Sequence, residues 1–285
     1  MVAAAVLYGT TGTAQAFAPE GASPLSVGAA RLLVGGALLG LIGLVRRLRR
    51  TGLRLPGWST TTWWVLLGAG CVMAYQATFF AGTRANGVAV ATVAALGTSP
   101  LFAGLFEWLV FRRPPGPRWA LATGAALVGL VLLAGVSPST PLDPLGLAAS
   151  LAAGASYAGY TIATKAVLAR GWDATAAVCA MLGTGAVLAA AVLPLTATDW
   201  LARPGGIAVV LWLGVATVVV TYLLLGQGLR HLSAATATTL TLAEPATAAL
   251  LGVIVLTEPL SGWQVAGILA IGGAVALTGT TTPRR

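Results

Sequence analysis

Ten stretches of mostly apolar residues follow one another along the chain, each about the length that crosses a bilayer as a helix. They cover roughly 2–18, 24–45, 61–81, 87–111, 117–136, 144–168, 173–195, 206–228, 233–256 and 261–280. Turn or loop chemistry separates them: Pro19-Glu20-Gly21, Arg46 to Pro56, Asn86-Gly87, Arg112 to Pro117, Ser137 to Pro144, Gly171-Trp172-Asp173, Thr198 to Gly205 and Glu258-Pro259. Barrel strands would alternate over about 10 residues. These runs are apolar on every side, so they are expected to be helices that satisfy their own backbone. Only 8% of the residues are charged and 57% are hydrophobic. A typical soluble domain is about 25% charged, so lipid must be the solvent for most of this surface.

The formal net charge is +9, but the basic residues sit in short clusters between the apolar runs. That is the pattern of loops facing an anionic leaflet rather than of a nucleic-acid surface, where aromatics would interleave with a basic stripe. With the N-terminus inside, the inner loops hold Arg46, Arg47, Arg49, Arg50, Arg54, Arg112, Arg113, Arg118, Lys165, Arg170, Arg230, Arg284 and Arg285. Those are 13 of the 16 basic residues. Arg84 and Arg203 fall outside, and Arg31 lies within the second span. The bias predicts cytoplasmic N- and C-termini in a multi-pass protein of the cytoplasmic (inner) membrane. Glu20, Asp143, Asp199 and Glu258 then face outside. The apolar start at Met1 lacks a basic leader and is expected to be the first span rather than a cleaved signal.

Most tryptophans lie near span ends (Trp58, Trp63, Trp64, Trp108, Trp119, Trp172, Trp200 and Trp263), as an interfacial belt would. Cys71 and Cys179 sit inside apolar runs and imply neither a disulfide nor a metal. His231 is the single histidine, so a metal site or a His-based triad lacks its parts. Small residues four apart, such as Gly36 and Gly40, allow close helix packing.

A shift of 145 residues brings Ser99-Pro100 onto Glu244-Pro245, Pro114 onto Pro259, Ala103 onto Ala248 and Leu105 onto Leu250. Trp119 lands beside Trp263. The repeat contains five spans, an odd number, so two successive copies must have opposite orientations. The expected fold is therefore an all-α integral membrane protein with ten transmembrane helices arranged as two inverted five-helix repeats. The first unit covers 1–136, a linker 137–143, the second unit 144–280, and a tail 281–285. In such inverted repeats the substrate site lies near the midplane, beside helices interrupted at matching positions. Here the fourth and ninth spans are each expected to be interrupted by a proline.

On these residues the sequence resembles the EamA-type transporters of the drug/metabolite transporter superfamily, over essentially the whole chain. The strongest part is SAATATTLTLAEPATAALLGVIVLTEPLSGWQVAGILAIGGAVAL, residues 233–277. It is similar to the family's second unit: small residues, Glu-Pro, an apolar run, Glu-Pro and a Gly-rich last helix. The first unit is recognisable in VAVATVAALGTSPLFAGLFEWLVF, residues 88–111. Tyr8-Gly9-Thr10 resembles the aromatic-Gly-small pattern of the first helix, and Arg31 matches an arginine often found in the second. The first unit of the family often ends on Gly-Glu, where this chain has Arg112-Arg113. Two symmetric acids are thus not expected.

Glu244 stands about 18 Å along its helix, near mid-membrane. An acid there binds a cationic or amine group, carries a proton, or is a neutral group that helps hold the Pro245 kink. Pro100 and Pro245 leave the carbonyls of Leu96 and Thr241 without their helical partners. Those carbonyls line a cavity or are satisfied by neighbouring helices. Arg31 pairs with a substrate carboxylate or with an acid of another helix, or snorkels to the outer interface. Tyr8, Tyr75, Gln76, Tyr157, Tyr160 and Tyr222 are the further candidates for substrate binding or gating, since a bundle tyrosine needs a partner for its hydroxyl. Lys165, near the end of its span, is expected to snorkel.

The function expected is secondary transport of small metabolites, amino acids or related amphipathic solutes, by alternating access, with export favoured over import or passive flow. No G-x-x-x-x-G-K-[ST] run is present, so ATP drive is not encoded. An enzyme would need clustered His, Asp, Glu or Ser groups at one depth, and a scaffold or sensor would carry a soluble domain. No catalytic residues, cofactor or metal are expected. The partners are a small-molecule substrate and the lipid bilayer, with no nucleic acid. A monomer suffices for a pathway, and a dimer is compatible with it.

Overall fold

The first N–H groups of a helix have no partner within it, and inside lipid they must find one in the chain. Most helices here begin with a residue that meets this need. Ser59 forms a reciprocal capping box with Thr62. Asp143 accepts from the N–H groups of Leu145 and Gly146. Asp173 accepts from Ala176, and Ser233 from Thr236. Pro24, Pro117, Pro144 and Pro204 open their helices, where a missing N–H costs least.

The computed structural model describes residues 1–51, 59–135, 142–257 and 259–279, and these contain helices and no strand. In order they are α1 (Val2–Ala16), α2 (Pro24–Thr51), α3 (Thr60–Phe111), α4 (Pro117–Ala134), α5 (Pro144–Leu168) and α6 (Ala174–Val192). Two short 3-10 turns, Leu193–Leu195 and Asp199–Ala202, precede α7 (Pro204–Trp212). A π-helical stretch, Leu213–Val220, joins α7 to α8 (Thr221–Leu229). The chain continues with α9 (Ala234–Leu240), α10 (Ala243–Leu256) and α11 (Gly262–Gly279).

Among the described residues, six stretches are long and apolar enough to cross a membrane. They are Pro24–Arg49, Thr60–Phe111, Pro117–Ala134, Ala174–Leu195, Pro204–Leu229 and Ala234–Val255. Large apolar side chains face outward along the helices, as lipid requires: Leu145 is 81% exposed and Ile254 74%. The fold is that of an all-α integral membrane protein. Arg54, Trp58, Glu258, residues 137–141 of the expected linker and the tail 281–285 with its Arg284-Arg285 lie outside the described residues.

α3 divides at the expected Asn86-Gly87 break, where Gly87 adopts φ 79° and ψ 163°. This region is open essentially to glycine alone. The two arms, 60–86 and 88–111, both pack on α5. Small residues make the contact possible. Gly146 faces Ala85, Ser150 faces Gly82 and Gly159 faces Cys71, so the first arm runs antiparallel to α5. A Cβ on Gly154 would lie 2.5 Å from Thr98 Oγ1 and 2.6 Å from the Ala95 carbonyl on the second arm. Asn86 and Asp143 tie the ends together through hydrogen bonds of 3.0 and 2.7 Å. α2 and α6 run antiparallel through Gly36, Gly40 and Gly43 against Ala186, Gly183 and Cys179. α4 and α11 do likewise through Gly129 and Gly267.

The two prolines act differently. The second arm of α3 stays helical through Pro100, because the Ser99 hydroxyl donates to the Leu96 carbonyl at 2.9 Å. That side-chain bond replaces the N–H that Pro100 lacks. The other stretch does break, one turn before Pro245. There Leu242 N–H bonds Thr239 O and Glu244 N–H bonds Thr241 O, at 3.1 and 2.9 Å. The tighter turn separates α9 from α10. The expected interruption of the fourth span is thus absent, and that of the ninth lies at Thr241-Leu242.

Trp200 also departs from the expected belt. It is 1% exposed, and its indole N–H donates to Ser26 Oγ at 2.9 Å.

No heavy atom stands within 4 Å of where a Gly87 Cβ would lie, so backbone conformation alone penalises a side chain. Gly87→Ala should destabilise the purified protein by about 1–3 kcal/mol, read as a lowered midpoint in detergent unfolding. An unchanged midpoint would mean that the turn relaxes without cost.

Candidate functional site

Several polar residues of the apolar runs converge on one cavity of about 330 Å³, within the size range of sites for small molecules. α1 contributes Tyr8, α2 Arg31, the first arm of α3 Tyr75 and Gln76, α5 Tyr157, α8 Tyr222, and α10 Glu244 and Pro245. Each arrives there for a local reason. Gly9 lets α1 lie against α10, since a Cβ on it would come within 2.7 Å of Thr247 Cβ and 2.9 Å of the Glu244 carbonyl. That close approach brings Tyr8 and Glu244 to the same cavity. The break before α10 places Glu244 in the first turn of a new helix, where an acid is favoured by the helix dipole.

Arg31 and Glu244 are the two charged groups of the lining, and they lie within electrostatic reach of one another. Arg31 Nη2 donates to Gln76 Oε1 at 3.4 Å. Its Nε is buried and without a hydrogen-bond partner, so the guanidinium keeps unused donor capacity. The tyrosines form a linked aromatic wall. Tyr8 meets Tyr222 edge-on at 5.8 Å, and Tyr75 lies 6.1 Å from Tyr157. Tyr157 Oη donates to Thr241 Oγ1 at 3.4 Å. Such a wall is a large amphipathic surface with little side-chain entropy to lose.

Two sequence candidates lie elsewhere. Tyr160 is 1% exposed and packs edge-on behind Tyr222 at 5.2 Å. Pro100 is buried within α3. Lys165 donates its ammonium to the Leu232 carbonyl between α8 and α9. Among the described residues, no group of three His, Cys, Asp or Glu is placed to hold a metal ion.

Several lining residues are not among those expected from sequence. Phe79 stacks on Tyr75 at 5.5 Å. Its place one turn beyond a candidate tyrosine was the available signal. Gln15, an amide in the first apolar run, also lines the cavity. Glu107, which lies outside the cavity, is a further polar group that the expectations leave out. It is 5% exposed within α3 and accepts from the Ala235 N–H at 3.0 Å. An acid inside a span signals itself.

Membrane-length helices that enclose a solute-sized polar cavity define a multi-pass membrane protein built around a small-molecule site. The EamA-like transporter family model matches the chain twice, over residues 1–135 and 144–280. The chain belongs to this family and is a membrane transporter. It is 39% identical over 272 residues to an uncharacterized transporter, YwfM, of Bacillus subtilis (strain 168), covering 94% of this chain and 89% of that one. A solved crystal structure, 22% identical, superimposes with a TM-score of 0.78 over 96% of this chain and 93% of the other. At that identity it speaks for the fold alone.

Gln76→Leu tests the polar wall. It removes the acceptor of the Arg31 guanidinium and should cost about 1–3 kcal/mol. The readout is the melting temperature of the purified protein. No change would mean that Arg31 holds its position without Gln76.

Proposed function

We propose that the chain is a secondary transporter of small amphipathic metabolites, amino acids or close relatives, and that it works by alternating access around the Arg31–Glu244 cavity. The observation that carries this reading is the meeting of an arginine, a glutamate and a tyrosine wall in one solute-sized space. A zwitterion presents a carboxylate suited to Arg31 and an ammonium suited to Glu244. Its apolar body would lie against Tyr8, Tyr75, Tyr157 and Tyr222. Export is the direction that the resemblance to drug/metabolite transporters favours.

The mechanism follows from ten spans in two inverted five-helix units, with both termini in the cytoplasm and the protein in the inner membrane. Close contacts support this arrangement. Gly9 and Gly154 stand 145 residues apart, the repeat shift. Gly9 presses on α10, and Gly154 on the second arm of α3, the two proline-bearing segments that the same shift relates. α4 and α11 are likewise repeat mates and run antiparallel. One unit rocking on the other would expose the cavity to each side in turn. One chain holds the whole pathway.

Glu244 is the group proposed to couple transport to protons. In proteoliposomes, Glu244→Gln should abolish solute flux driven by a pH gradient. Full pH-driven flux in that variant would remove Glu244 as the proton carrier. A flux or thermal-shift screen of amino acids against organic anions and amines reads the substrate class. A response confined to anions or to amines would reject the zwitterion assignment.

A further inference from the structure

We propose that α9 is the gate that closes the cavity on the arginine-rich side, and that Glu107 and Lys165 are the positioning residues that hold it shut. The proposal rests on the alternating-access reading above.

The cavity opens away from the arginine-rich helix ends. Its lining includes Gln15 near the end of α1, Phe80 and Val88 on either side of the Gly87 turn, and Ala134 at the end of α4. Arg112, Arg113 and Arg230 lie at the opposite helix ends. Between them and the cavity stands α9. Its residues Ala234, Ala235, Ala237, Thr238, Thr239 and Leu240 are all buried.

Three neighbouring segments grip this plug. Thr239 and Thr123 of α4 share a hydroxyl hydrogen bond of 2.9 Å. Glu107 Oε2, on the second arm of α3, accepts from the Ala235 N–H at 3.0 Å. Lys165 of α5 donates to the Leu232 carbonyl just before α9. Glu107 and Lys165 are also within electrostatic reach of one another. An acid 5% exposed is tolerated in such a place only with partners. Those partners are the first turn of α9 and an ammonium from another helix. A base and an acid thus fix the two ends of the same turn.

The repeat shift locates the opposite gate. The segment 145 residues before α9 is 89–95, at the start of the second arm of α3. There Ala91 and Ala95 are buried, but Ala89 at its outer end is exposed, as is Val88 beside it, and Ala89 and Thr92 line the mouth. Under the same shift Glu107 falls on Gly252 and Lys165 on Glu20. Neither half of the clasp is repeated. One gate is charge-clasped and closed and its counterpart is unclasped and open. The clasp therefore sets the resting state to face away from the arginines, and each transport cycle must release Glu107 from Ala235.

The test uses the full chain with Cys71→Ala, Cys179→Ala and a reporter, Ala248→Cys, in the cavity wall. A membrane-impermeant maleimide is added to right-side-out and to inverted vesicles. The parent should label from the outer side. Glu107→Ala removes an acceptor that binds as a charge-assisted hydrogen bond. It should shift the gate equilibrium by on the order of tenfold, raising labelling from the arginine-rich side and lowering it from the other. Lys165→Met should act in the same direction. Glu107→Gln keeps a carbonyl acceptor and should restore most of the parent pattern. If Glu107→Ala does not fold, Lys165→Met and Glu107→Gln carry the comparison. Unchanged labelling in folded variants, with the parent labelled from outside, overturns the gate and leaves the cavity reading standing. A parent labelled equally from both sides, or from neither, overturns the cavity reading and the gate with it.

Discussion

Every polar group that enters a bilayer must find its partner inside the chain, and the architecture follows from how that demand is met at two prolines. At Pro100 the missing backbone donor is replaced by the neighbouring Ser99 hydroxyl, and the helix continues. At Pro245 the preceding residue is Glu244, which offers no hydroxyl. The backbone tightens instead, with Thr241 O taken by the Glu244 N–H. A single difference in the residue before proline makes one helix whole and divides the other into α9 and α10. That division ends α9 at Leu240 and gives Glu244 a helix N-terminus to occupy.

The break is affordable only because the surrounding helices are close enough to enclose it. Lipid provides little hydrophobic drive for helix association, so close approach through small residues has to supply the contact. Gly9 against α10 and Gly154 against the second arm of α3 provide it at related positions in the two halves. A larger residue at either would push a tyrosine-bearing helix off the cavity wall. Packing and site are therefore one problem here, and the glycines that permit contact also place Tyr8 and Tyr157.

Much of this was legible in the sequence. Span length and the absence of charge gave an all-helical membrane protein, and the turn at Asn86-Gly87 was readable from its residue types. Polar side chains stranded in apolar runs pointed to Tyr8, Arg31, Tyr75, Gln76, Tyr157, Tyr222 and Glu244, which share one cavity. The remainder depended on information that periodicity lacks. Tyr160 and Tyr157 sit three residues apart, but helix rotation turns one to the cavity and buries the other behind Tyr222. Trp200 sits at a span end like most of the other tryptophans. Only the tertiary position of Ser26 makes it a buried donor. Proline alone could not reveal which helix would break, since the answer lay in the Ser99 hydroxyl. Glu107 lies inside an apolar run, but only the tertiary position of α9 supplies the Ala235 N–H that partners it.

Glu107 and Glu244 then illustrate how two carboxylates in one membrane protein are suited to different work. Glu107 is enclosed, with a fixed N–H donor and a nearby ammonium. A charge so held contributes to a specific packed arrangement, and losing a partner is costly. Glu244 faces an open cavity across from an arginine with donor capacity to spare. Water or a solute can reach it, so its partner is exchangeable. A gate needs a partner that stays until the helices move, and a binding or coupling site needs one that comes and goes. On the proposed reading, the chain supplies the first through a backbone amide in α9 and the second through the cavity beside α10. On that proposal, the break between α9 and α10 lets the two acids act on separate elements of one pathway.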